Sequence, residues 1–175
     1  MADDPDRRRF LKVATCAVGG GIAATVIVPV TRLVLGPAGR TTVTMPTDPI
    51  DLGAADRLPI GPTWRKLDVI APVVKDAWLS ARDVVLGAAW VRRPAESQVQ
   101  ALSAVCPHLG CAVAWDGKSF LCPCHDSRFT ADGDAIAGTG PAKRGLDPLP
   151  IEIKDGRLRV TWIRYKLDTQ GRDPA

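Results

Sequence analysis

Cys106-Pro107-His108-Leu109-Gly110-Cys111 and, ten residues further on, Cys122-Pro123-Cys124-His125-Asp126-Ser127 are the stretch on which the reading of this chain turns. The 175 residues include two histidines and five cysteines, and both histidines and four of the cysteines lie between 106 and 125. A chain that keeps nearly all its ligand-type residues for one short window is building a site with them. The window divides into a Cys-x-His group and a Cys-x-x-His group, each predicted at a strand end. Between them, Asp116-Gly117 is a strong hairpin signal, because both residues tolerate the positive φ of a type I′ turn. Soft-to-borderline donors are thereby expected on adjacent loop tips.

Outward from the window the apolar positions come in short runs broken by turn residues. Segments 64–69, 87–91, 99–105, 112–115 and 119–121 read as strands, as do 149–153 and 158–163, which Lys154-Asp155-Gly156-Arg157 joins. Segment 69–85 is ambiguous, and 77–85 is compatible with a helical turn or two. There is no internal repeat and no long amphipathic helix. The expectation is a mainly β fold, with a small antiparallel β-domain over residues 50–175.

The other end of the chain is an address and an anchor. Arg7-Arg8-Arg9-Phe10-Leu11-Lys12, after three aspartates around Pro5, resembles the twin-arginine export signal, with Asp6 where Ser or Thr is usual. The competing reading is a basic cap on a membrane helix, and both place residues 1–12 in the cytoplasm. Residues 13–30 carry no charge, and 13–35 comes close to the ~20 apolar residues that span a bilayer. Gly36-Pro37-Ala38 makes a poor cleavage site, so an uncleaved transmembrane helix is expected. That gives a single pass through a bacterial cytoplasmic membrane, with the remainder on the outer side. Cys16 reads as a small apolar residue of that helix. Residues 36–49, rich in Gly, Pro and Thr, read as a linker or hinge.

Net charge is only +4 and the basic residues are spread along the chain, which excludes the concentrated basic face of a nucleic-acid binder. Arg92-Arg93 and Lys143-Arg144 are among the basic pairs of the head. They are expected to be solvated surface, the alternative being a docking spot for an acidic partner.

Two cysteines and two histidines can hold zinc or an iron–sulfur cluster. A zinc site with four ligands has no use for two further cysteines in the same loops, whereas in an exported protein such a pair can form a disulfide. The double motif resembles the Rieske family, in the disulfide-containing branch found in quinol-oxidising cytochrome bc and b–f complexes, closely over 99–149. The resemblance implies an antiparallel β-sandwich head whose cluster-binding part spans about 104–146. It implies one [2Fe–2S] cluster, with Cys106 and Cys122 on one iron, His108 and His125 on the other, and a Cys111–Cys124 bridge. Neutral imidazoles in place of two thiolates raise the potential of such a centre. Around it the resemblance points to Leu109 and Gly110, to Ser127 as a donor to a cluster sulfur, and to Pro141 in a covering proline loop over 138–146. Three positions depart from the pattern. Phe129 stands where high-potential members have tyrosine, which predicts a lower potential suited to menaquinol. Lys143 replaces a second proline. Asp126 replaces a glycine, and its carboxylate is expected to raise the pKa of His125.

By the same resemblance the chain is a subunit of a membrane quinol–cytochrome c oxidoreductase and, alone, an electron carrier. His125 would hydrogen-bond the quinol and take its proton, a cytochrome b-type subunit would complete the pocket, and a c-type cytochrome would receive the electron. Two copies are expected in a dimeric complex. The alternative is the small subunit of an arsenite-oxidase-like molybdoenzyme, where the Cys124 position often carries glycine.

Overall fold

The computed structural model describes residues 5–40, 42, 45–76 and 78–175. They fall into two units, Met1–Thr42 with Lys75–Ser80, and Val43–Val74 with Ala81–Ala175. Asp3, Asp4 and parts of the linker and of the 77–85 segment (Thr41, Val43, Thr44 and Ala77) lie outside the described residues.

In the first unit α1 runs Pro5–Leu35, so the basic residues 7–12 belong to the same helix as the apolar stretch. Pro5 opens it, where a missing N–H costs nothing, and Asp6 lies in the electropositive first turn. The helix buries none of its residues against protein and is long and apolar enough to cross a membrane. Two of its three hydroxyls bond within the helix, Thr25 donating to the Ile22 carbonyl and Thr31 to that of Ile27. Cys16 is an exposed free thiol of this helix.

The second unit is β-rich, as expected. The strands of the chain are β1 Ile50–Ala54, β2 Gly61–Lys75, β3 Ser80–Ala95, β4 Gln98–Ser103, β5 Ala114–Trp115, β6 Phe120–Cys122, β7 Ser127–Phe129, β8 Pro148–Leu149, β9 Ile151–Lys154 and β10 Arg157–Val160, and all but the Lys75 and Ser80 ends of β2 and β3 belong to this unit. They form three sheets, in the orders β1-β10-β9, β2-β3-β4-β8 and β5-β6-β7. The registers described for β1–β10, β10–β9, β3–β4, β4–β8, β5–β6 and β6–β7 are all antiparallel.

Four local expectations change. The helical turn allowed for 77–85 is a strand from Ser80 onward, and the Asp76 carboxylate caps the turn before it by accepting the Trp78 and Leu79 amides. The run 149–153 is cut at Pro150, which has no N–H to give a ladder, so β8 joins β4 and β9 joins β10. The last strand ends at Val160, three residues short of the expected 163. The type I′ geometry belongs to Asp155-Gly156, at φ 52° and 70°, between the paired Lys154 and Arg157. The 116–119 turn uses other chemistry. There only Gly117 has positive φ, and the Asp116 carboxylate accepts the Lys118 and Ser119 amides at 2.8 and 2.7 Å.

Burial separates two cores. One, with Ile50, Leu58, Val69, Val91, Leu158, Val160 and Trp162, lies among the first two sheets. The other holds Trp64, Leu102, Val113, Phe120, Phe129 and Leu146, and it contains Cys106 and Cys122. Phe120 is fully buried among Trp64, Trp90 and Trp115, with ring centroids 5.6, 5.8 and 4.6 Å away. Two of these indoles are also fixed by N–H donation, Trp64 to Ala131 O and Trp90 to Val113 O. The aromatic block packs in the same buried cluster as Cys106 and Cys122, beneath the candidate ligand loops.

The basic pairs are not simply solvated. Arg92 lies over the Trp64 ring at 4.5 Å and pairs with Asp132, while Arg93 donates to the Ala55 and Glu96 carbonyls. Arg144 is buried beside the buried Asp147.

Candidate metal centre

Three loops meet over the second core. The first, 106–111, follows β4 and closes on itself, with the Cys106 amide donating to Cys111 O and the Gly110 amide to Cys106 O. The second, 122–127, is the β6–β7 connection, anchored where Cys122 pairs with Ser127, and Asp126 turns it at φ 55°. The third, 138–147, lies against the second. The Arg128 amide donates to Thr139 Oγ1, and the Ala142 amide, next to the exposed Pro141, donates to Ser127 Oγ.

Gly140 explains how closely the second and third loops approach. It sits at φ 59°, and a Cβ there would come within 2.5 Å of His125 O and Ser127 N, besides striking Ser127 Oγ. Backbone cannot yield as a side-chain tip can. Gly140→Ala is therefore expected to destabilise the head by about 2 kcal/mol, read as a lower midpoint in chemical denaturation.

Cys111 and Cys124 form a disulfide that joins the first loop to the second, at a sequence separation of 13. Two free thiols and two imidazoles remain in the window. Cys106 and Cys122 are 1 and 2 % exposed, within hydrogen-bonding reach of each other. Burial pushes the Cys106 thiol up to about 11, against the opposing pull of the His108 and Leu109 amides that donate to its sulfur. Such a thiol becomes a thiolate only when a cation compensates the charge. Cys122 Sγ also lies within 4.8 Å of both disulfide sulfurs. The imidazoles sit outward, His108 half-buried and His125 exposed, edge to face with ring centroids 4.9 Å apart.

The donor set thus has a buried thiol end and a surface imidazole end. That asymmetry fits a two-iron group whose irons take different ligands. Ser127 is 1 % exposed and Phe129 fully buried in the same apolar cluster as the two thiols, whereas Leu109 and Gly110 are exposed at the loop tip. The Asp126 carboxylate has Arg128 as its charged partner, 3.4 Å away. Two features have no counterpart in the sequence reading: the steric demand at Gly140, and the ties that Lys143 and Arg144 make to residues 166–169. A glycine in a loop carries no mark of what it touches, and an ion pair 25 residues apart leaves no periodic signal.

Comparison with known proteins follows the same lines. The Rieske [2Fe–2S] domain matches residues 73–151, and the twin-arginine signal of ubiquinol–cytochrome c reductase iron–sulfur subunits matches residues 1–31. The iron–sulfur subunit of the menaquinol:cytochrome c reductase of Geobacillus thermodenitrificans is 35% identical, over 87% of this chain and 88% of that one. Its Bacillus subtilis counterpart is 34% identical over 93% and 95%. The cytochrome b6-f complex iron–sulfur subunit of Chlorobaculum tepidum is 28% identical over 90% and 76%. Among solved structures, the plasma-membrane Rieske protein of Synechocystis superposes with a TM-score of 0.43 at 22% identity, covering 65% of this chain and 99% of that one. Identity above one third, held over nearly nine-tenths of both chains, places this chain in the family of Rieske [2Fe–2S] iron–sulfur subunits.

Proposed function

We propose that the chain is the Rieske subunit of a membrane quinol–cytochrome c oxidoreductase, with Cys106 and Cys122 on the inner iron and His108 and His125 on the outer one. The observation that carries this reading is the placement of buried thiols behind surface imidazoles. When bound, the cluster supplies a one-electron acceptor. The chain's own residues do the rest. His125, exposed at the loop tip, accepts a hydrogen bond from a quinol hydroxyl and takes up its proton on the ring nitrogen that faces solvent. Leu109, 59 % exposed beside the histidines in sequence, offers an apolar contact for the quinol ring. The amides of His108 and Leu109 donate toward the inner sulfur, and the disulfide keeps the two loops in one arrangement.

Relatives named as menaquinol:cytochrome c reductase subunits support menaquinol as the reductant, as does a phenylalanine at 129. A cytochrome b-type subunit that completes the quinol pocket and a c-type cytochrome acceptor follow from the same reading, as do two copies per complex. Residues 1–12 remain in the cytoplasm, 13–35 cross the membrane, 36–49 serve as linker, and the head, 50–175, with its cluster-binding part at about 104–146, faces outward. The Cys111–Cys124 bridge weighs against the molybdoenzyme alternative.

The test is an EPR titration of the reduced, membrane-bound protein with and without a quinol-site inhibitor. A Rieske-type signal that the inhibitor shifts is expected. The same signal without response would leave an electron-transfer subunit with no quinol site, and zinc in place of iron would overturn the ligand assignment.

Phe129 gives a graded test. Its ring is fully buried in the cluster that holds both thiols, so a phenol there has to donate to an acceptor inside the site or remain unpaired. One hydrogen bond favouring the reduced state by about 1.4 kcal/mol raises a one-electron potential by about 60 mV. Phe129→Tyr is expected to raise the midpoint potential by roughly that much in a redox titration.

A further inference from the structure

Residues 164–175 lie beyond the stretch matched by the Rieske domain and beyond the last strand expected from the sequence. The structure holds them tightly. The Asp168 amide donates to Pro107 O at 2.9 Å, between the two ligand positions of the first loop. Leu167 lies against Gly110 of that loop, so closely that a Cβ on Gly110 would come within 3.3 Å of Leu167 Cδ1. On its other side the same segment grips the third loop. Lys143 Nζ donates to both the carbonyl and the carboxylate of Asp168, each at 3.0 Å.

Arg144 shows that the grip is built in. Its side chain is 4 % exposed, and all five guanidinium hydrogens have acceptors. Two go to the Asp147 carboxylate at 2.8 Å, one to Lys166 O at 2.9 Å, and two to the Thr169 carbonyl and hydroxyl at 2.7 and 3.0 Å. Three of the five therefore satisfy the segment rather than the loop that carries the arginine. Asp147 holds the guanidinium all the more firmly in its charged form. Without 166–169, a buried cation would lose most of its partners. The segment is also closed on itself, the Lys166 amide donating to Asp173 O and Thr169 Oγ1 to Gly171 O.

We propose that residues 165–172 are a strap that fixes the first ligand loop against the 138–147 loop, with Asp168 and Lys143 as its positioning residues. This rests on the reading that loop 106–111 carries cluster ligands. The disulfide ties the first loop to the second, Gly140 and Ser127 pack the second against the third, and the strap closes the remaining side between third and first. The Lys143–Asp168 pair is half exposed and weak by itself. Its part is to aim the Asp168 backbone at Pro107.

The full-length chain in membranes is compared with Asp168→Ala, Asp168→Asn, Lys143→Ala and a deletion of 165–175. Asp168 sits at φ 55°, which asparagine also tolerates, so Asp168→Asn keeps the turn and is the rescue control. Two readouts are taken: amide hydrogen exchange at Cys106 and Gly110, and the g values and chelator-driven decay of the reduced EPR signal. In Asp168→Ala and Lys143→Ala, exchange at these amides and cluster decay are expected to speed up about tenfold with altered g values, more so in the deletion, while Asp168→Asn stays near wild type. Unchanged exchange and an unchanged spectrum in both alanine variants would overturn the strap, whether or not the deletion folds. A wild-type protein without the Rieske signal would sink the ligand assignment instead, and hydrogen exchange would still decide the strap.

Discussion

Replacing Cys122 by serine is expected to abolish the EPR signal of the reduced protein, with iron bound to the head falling at least ~10-fold. Cys122 is 2 % exposed at the end of β6, beside Cys106 and inside an apolar cluster with Phe120 and Phe129. A serine hydroxyl fits that space but is not ionised there, and it is a poor soft donor. With the proposed ligand Cys122 gone, the remaining thiol, Cys106, is a buried acid already pushed up to about 11, with no cation left to hold its proton off. Cys16→Ser is the control. That thiol is exposed on α1, outside the window, and its loss is expected to leave the signal unchanged. Circular dichroism of Cys122→Ser should still show the β-sheet head. A full signal in this variant would mean that another residue serves as ligand.

The candidate ligand window stood out in the sequence because the chain is economical: with two histidines in 175 residues, both inside one short segment, the donor types alone pointed to a candidate site there. The strands were legible where apolar runs were bounded by turn residues. Boundaries failed where a backbone property overrode the run, as at Pro150, which divides one apolar stretch between two sheets. The turn at 116–119 failed for a related reason. Asp-Gly suits a type I′ turn only in a two-residue loop, and here β5 and β6 pair across four residues, so the aspartate acts through its carboxylate. Arg144 looked like surface because basic residues usually are. What buries it is an acid three residues on, joined by three acceptors more than twenty residues away that carry no local pattern. Sequence periodicity reports on the face an element turns to its core. It says nothing about loops that are held by other loops.

The second large effect follows from that kind of holding. Changing Cys111 and Cys124 together to alanine is expected to cost about 3 kcal/mol of head stability, the entropy of leaving open a loop of this size in the unfolded chain. It should appear as a lower midpoint in chemical denaturation. The larger consequence is at the site. Cys111 is half-buried and Cys124 exposed, so removing the bridge opens little core and its cost falls on the loops themselves. Loop 106–111 would then keep its bond to residues 167–168 and loop 122–127 its packing on the 138–147 loop, with the noncovalent Cys106–Cys122 and His108–His125 contacts left between them. The imidazoles, 4.9 Å apart at the two loop tips, have no other covalent tie between them. Cluster loss to a chelator is therefore expected to accelerate by at least tenfold in the double variant. Treating the wild-type protein with a thiol reductant strong enough to open the bridge should reproduce it. A double variant that keeps its cluster as long as wild type while losing the 3 kcal/mol would show that the bridge serves the fold alone, and that packing of the three loops is enough to hold the ligands.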